Sequence, residues 1–187
     1  MKKLFALTVA LCLFCGSFAF AESVASDGTP LQQEDFTLNL EAGMIYSIFG
    51  EKKPNSPLLL VFPYAAAGDQ SSNINFVPTE EIRAITVEEV RASIETAKQN
   101  LSDSLSAQGI TVESIEFKDP VDFTISGAPC VLFDSVISIT YLSVPMEINM
   151  RQFYVGEKGY VITITLYSSG ADLDKLTELT ESMLVWN

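Results

Sequence analysis

The sequence predicts an α+β domain: an antiparallel β-sheet with a C-terminal meander, covered by a long central helix and a C-terminal helix. Three stretches carry that expectation. From Ala128 to Ser168, apolar and polar residues alternate in three successive runs. From Thr86 to Ala107, apolar residues recur at steps of three and four. From Pro57 to Tyr64 the chain is continuously apolar. Side chains alternate across a strand and recur every 3.6 residues on a helix, so the first and third stretches read as strands and the second as an amphipathic helix.

Taken in order, Met1 to Ala21 has the layout of a secretory signal. Lys2 and Lys3 precede an apolar centre, Leu4 to Phe14, and Ala19-Phe20-Ala21 supplies the small residues of a cleavage site. The apolar run is short and broken by Gly16 and Ser17, which disfavours a membrane-spanning helix. Cys15 lacks the small-residue context of a lipid-modified cysteine. Residues 22–34 show no periodicity and read as a flexible lead. Residues 35–187 suit a single domain.

Within that domain, Phe36, Leu38 and Leu40 alternate with polar neighbours in a first strand, and a second follows near Met44 to Phe49. Pro54, Asn55 and Pro57 mark a loop before the buried strand Pro57 to Tyr64. Ala65 to Ser72 is a turn, and Asn73 to Val77 a strand closed by Pro78. Thr86 and Glu89 have the spacing of a capping box, in which each side chain satisfies an orphan N–H of the helix start. Val87, Val90, Ile94, Ala97, Leu101 and Leu105 then draw one stripe, and Gly109 sits where a C-terminal cap belongs. The stripe is expected to cover the meander's apolar face, Ile148, Ile162 and Ile164 included. Ile110 to Phe117 and Phe123 to Ser126 are strands on either side of a turn.

The meander runs through Val131, Phe133, Ile137 and Ile139, then Met146, Ile148 and Met150, then Tyr160, Ile162, Ile164 and Leu166. Its joints are placed at Ser143-Val144-Pro145 and at Gly156 to Gly159. The alternation slips between Met150 and Phe153. Either a β-bulge at Arg151-Gln152 restores the phase, or the two faces exchange burial there. Gly170-Ala171-Asp172 opens the last helix, with Leu173, Leu176, Thr180 and Met183 on one side.

Charge and chemistry narrow the function. The formal net charge of −13 comes from 24 acidic and 11 basic residues; losing Lys2 and Lys3 with the signal lowers it by two, to −15. Such a chain repels nucleic acid and anionic lipid surfaces, so no nucleic-acid partner is expected; with the short apolar run lost in the signal, no membrane span is expected after cleavage. Cys12 and Cys15 fall in the signal. Cys130, flanked by Ala128, Pro129, Val131 and Leu132, reads as a buried hydrophobe rather than a reactive thiol. The absence of His removes Ser-His-Asp and Cys-His catalysis and the commonest metal ligand. Adjacent acids, Glu80-Glu81 and Glu88-Glu89, make poor catalytic pairs, because neighbouring helical residues diverge by about 100°. Asp119 with Asp122, or Asp69 with Asn73, could offer oxygens to calcium, but neither fits an EF-hand and both suit Asx turns. No catalytic residue, metal or cofactor is expected.

The order of elements resembles the PsbP-like/DcrB-like domains of photosynthetic and bacterial envelope proteins. The likeness rests on Phe36-Thr-Leu-Asn-Leu-Glu-Ala-Gly43, Asn73-Ile-Asn-Phe-Val77, Thr86-Val-Glu-Glu89, Gly127-Ala-Pro129, Arg151-Gln-Phe-Tyr-Val155 and Gly159-Tyr-Val-Ile-Thr-Ile164. Many such domains carry a Trp where this chain has Ala42-Gly-Met-Ile-Tyr46. The resemblance implies an α/β/α sandwich and a non-catalytic accessory or binding role. Together with the signal, this gives the expectation of an exported bacterial module, periplasmic or extracellular; a monomer is expected, and its partner is an unidentified protein or small molecule. Two other readings stand beside it: a carrier of an apolar small molecule between helix and sheet, and a carboxylate-based glycan hydrolase.

One site is expected. If the strands bring them together, Asn73, Asn75, Ser138, Thr140, Glu147, Asn149, Arg151, Thr163 and Thr165 form a polar sheet face. Arg151, Glu147, Asn149, Thr163 and Thr165 are its candidate binding residues, because a guanidinium can clamp a carboxylate. A plain solvated face is the alternative.

Overall fold

The computed structural model describes residues 22–68, 71–79, 82, 85–167 and 172–187. The expected signal, Asp69, the Glu80-Glu81 pair and Gly170-Ala171 lie outside the described residues. In chain order the elements are β1 (Ser23–Ala25), β2 (Leu31–Gln32), β3 (Phe36–Leu38), β4 (Ile45–Ile48), β5 (Leu59–Phe62), β6 (Ser72–Pro78) and α1 (Val87–Ala107). They continue as β7 (Thr111–Phe117), β8 (Val121–Ile125), β9 (Ala128–Tyr141), β10 (Val144–Val155), β11 (Tyr160–Leu166), α2 (Leu173–Met183) and β12 (Leu184–Trp186).

The meander is there, at the heart of a larger sheet. Nine antiparallel strands run in the order β1-β4-β5-β6-β11-β10-β9-β7, and β8 joins β7 along the outer edge of the long β9. Part of the expected flexible lead is ordered: β1 pairs with β4 at the opposite edge, and β2 pairs with β3. The phase slip is not a bulge in β10. Met150 to Tyr154 pair without interruption with both β9 and β11, so the faces exchange burial. Gln152, Phe153, Tyr154 and Val155 are all buried because this end of the sheet is covered on both sides. A register shift occurs instead in β7, between Val112 and Ser114.

The expected helix-covered α/β/α sandwich is corrected by what covers the sheet. The fold is mostly antiparallel sheet, with two α-helices among the described residues. A second sheet, β12-β3-β2, helps cover one face of the large one. Phe36 and Leu38, expected as part of the main sheet, belong to this small sheet, where Phe36 pairs with Trp186 and Leu38 with Leu184. Their side chains join Phe76, Phe153, Ile162, Ile164, Leu176 and Met183 in the largest core cluster. Short strands pack here where a sandwich would place a helix, because every second residue of β3 is buried and apolar.

Helix α1 lies on the other face. Its capping box is formed in both directions between Thr86 and Glu89, and Gly109 past its end has φ +77°. Val90 and Ala97 pack with Val131, Phe133, Tyr154 and Val161; Leu101 and Leu105 pack with Ile137, Ile139, Ile148 and Met150. The stripe therefore covers the meander as expected at Ile148. Ile162 and Ile164 are on the opposite face, against the small sheet and α2.

Candidate functional site

The expected polar face divides in two. Register places Asn73 opposite Thr165 and Asn75 opposite Thr163, with Gln152 opposite Thr163 on its other side. These side chains share the α1 face and are fully buried. Gln152 Nε2 donates to Thr163 Oγ1 at 3.2 Å. Ser138 and Thr140 share the reverse face with Glu147, Asn149 and Arg151. Glu147 there accepts a hydrogen bond from Asn149 Nδ2 at 3.0 Å. The five candidate binding residues are thus three on one face and two on the other.

Arg151 is committed to the fold. Its Nε and Nη2 donate to the two carboxylate oxygens of Asp134 at 2.8 and 2.9 Å, and Nη1 reaches Asp174 at 2.6 Å and Thr177 Oγ1 at 3.1 Å. The Arg151 and Asp134 side chains are 14% and 7% exposed. The Asp134 hydrogen bond raises the guanidinium's pKa, more than burial lowers it, and Asp174 adds to the effect. The network ties α2 to β9 and β10 and leaves Arg151 poorly placed to clamp a ligand. Cys130 is also structural: it is free and buried, and burial pushes its thiol up to about 12.

A different cluster has the features of a site. A cleft of about 500 Å³ is lined by Lys52, Pro54, Pro78, Thr79, Gly156, Glu157, Lys158 and Gly159. Its walls come from the loop before β5, the end of β6 and the turn between β10 and β11. That turn is a short 3-10 segment, Gly156–Lys158, closed by Gly159 at φ +68°. Thr79 N donates to Gly159 O at 2.7 Å, and a Cβ on Gly159 would stand 3.1 Å from the Thr79 carbonyl oxygen. A side chain at 159 would therefore strain the backbone and press on the wall.

Both lysines are held in place. Lys52 pairs with Asp35, and its Nζ lies 5.4 Å from the centre of the Tyr160 ring. Tyr160 donates its hydroxyl proton to the same Asp35 carboxylate at 2.7 Å. Burial and this hydrogen bond push the Tyr160 phenol up. Burial would also raise the Asp35 carboxyl, but Lys52 and Tyr160 outweigh it and hold it below its ordinary value. Lys158 donates to the Asn187 backbone oxygen at 3.1 Å, with its Nζ 5.8 Å from the Trp186 ring centre. An ammonium carries three donors, so each lysine retains capacity for a ligand. Thr79 is buried, and its hydroxyl has no hydrogen-bond partner among the described residues.

Sequence reading missed this cleft because its parts lie far apart in the chain and each looks like a turn residue. The local signal was the pair of lysines in turns, Lys52 and Lys158, on a chain poor in positive charge.

The chain matches no family model and no curated protein. Among solved structures it is similar to the crystal structure of LpqN, involved in cell envelope biogenesis of Mycobacterium tuberculosis. The identity is 12% and the TM-score 0.29, over 90% of this chain and 92% of that one. A likeness of that size does not establish a shared fold or function. Among the described residues, no helix is long and apolar enough to cross a membrane.

Proposed function

We propose that the protein is an exported, non-catalytic binding module of the cell envelope or extracellular space, of the PsbP-like/DcrB-like kind. Its Lys52–Lys158 cleft receives a small molecule or terminal group carrying a carboxylate or phosphate. The observation that carries this reading is the cleft itself. Two of the few cations of an acidic chain flank one concavity, each pre-oriented by an oxygen acceptor and an aromatic ring. Pre-orientation lowers the ordering cost of binding.

The rival readings find less support. Tight apolar packing of α1 against Val131, Phe133 and Tyr154 argues against a carrier with its cargo between helix and sheet. Asp134 and Asp174 converge on Arg151 and are ion-paired with it, which suits structure better than glycoside hydrolysis.

Titration with inorganic phosphate and with acetate, followed by amide chemical shifts, tests the cleft. Saturable shifts centred on Thr79 and Gly156 to Gly159 are expected, and they should vanish in the Lys52→Gln/Lys158→Gln variant. Absent shifts, or equal shifts in that variant, would remove the anion-binding reading.

A further inference from the structure

The β9–β10 hairpin ends in a tip whose chemistry serves neither the turn nor the core. Tyr141 pairs with Val144, so Leu142 and Ser143 form a two-residue turn, with φ +49° and +65°. Such turns favour Asn-Gly or Asp-Gly, because both central residues take positive φ. The two-residue turn at the other end of β9, Ser126-Gly127, follows that preference in its second position. Leu142 does not: a bulky L-residue is strained in this region of backbone space. Burial does not compensate it, since Leu142 is 79% exposed. Tyr141 and Val144 beside it are 46% and 56% exposed, and Pro145 is exposed as well. The last rung joining this hairpin to β7 is Thr111–Thr140, so the apolar tip extends past the edge of the sheet.

The charge around the tip selects its partner. No Lys or Arg occurs between Lys118 and Arg151. Glu147 lies just below the tip on β10, and Glu113 accepts a hydrogen bond from Thr140 on the adjoining strand at 3.2 Å. An apolar loop built to enter an anionic bilayer would carry cations at its base; this one carries acids. We infer that the Tyr141–Val144 tip is a protein-docking finger that places Leu142 in an apolar pocket with a basic rim on a partner protein. An apolar anchor inserted in a pocket is how a small contact reaches useful affinity, and the acidic base complements the rim.

A photo-crosslinking residue at position 142, with one at exposed Val185 as control, tests this in the cells that export the protein. One discrete protein adduct is expected from position 142 and not from 185. With that partner purified, Leu142→Asn should raise Kd by about tenfold or more. Added salt should weaken the complex. The thermal midpoint of Leu142→Asn should hold or rise, because Asn tolerates positive φ. An adduct to a second copy of the chain, loss in Leu142→Asn of co-sedimentation with phosphatidylglycerol vesicles, no discrete adduct, or an unchanged Kd would each overturn the inference.

Discussion

A single side chain decides how the two long strands of the meander are read. Arg151 looks like a free recognition group when only its own strand is considered. The two-residue turn at Leu142-Ser143 sets Asp134 opposite it and turns it into a buried ion pair. A turn at Ser143 to Pro145 would set Ile137 there, so a small error in turn position exchanges an ion partner for an apolar one. Removing one member of a buried pair strands the other. Arg151→Ala should therefore destabilise the fold by about 3–5 kcal/mol, measured by urea unfolding, instead of leaving folding intact and weakening binding. A loss below about 1 kcal/mol, the range of exposed pairs, would return Arg151 to the pool of ligand-binding residues.

At the scale of elements, α1 was the most legible part of the sequence. Its capping box, stripe and terminal Gly act within a few residues of one another, and the structure forms all three. Leu101 sits on that stripe at 0% exposure among Leu105, Ile137 and Ile148. Leu101→Ala should cost about 2–5 kcal/mol of unfolding free energy, the range for large-to-small changes in a packed core. A near-zero cost would mean that α1 does not rest on the meander. The small sheet was not legible, because nothing local in Phe36–Leu38 or Leu184–Trp186 indicates that these strands pair with each other. Pairing between distant segments rests on complementary burial, which alternation alone does not assign to a particular partner. The cleft was hidden for the same reason, since its two lysines stand in different turns.

For the molecule as a whole, pH acts on the fold through the group that steadies the cleft. Asp35 has a folded pKa below its ordinary 3.8. Its contribution is whole above that value and disappears as pH falls through the lower folded one. Stability of the wild type should decline between about pH 5 and about pH 2 more steeply than that of Asp35→Asn. Chemical denaturation at a series of pH values gives both slopes, and parallel slopes would show that Lys52 and Tyr160 do not stabilise the carboxylate. The small sheet has a further consequence, for the order in which the protein can be built. Phe36 stacks on Phe76 and meets Tyr160 and Trp186 edge-on, so one aromatic cluster joins residues separated by most of the chain. Contacts between such distant residues form late, because the loop between them must close first. That cluster, with the Lys158 ammonium over the Trp186 ring, is incomplete until Trp186 has been synthesised.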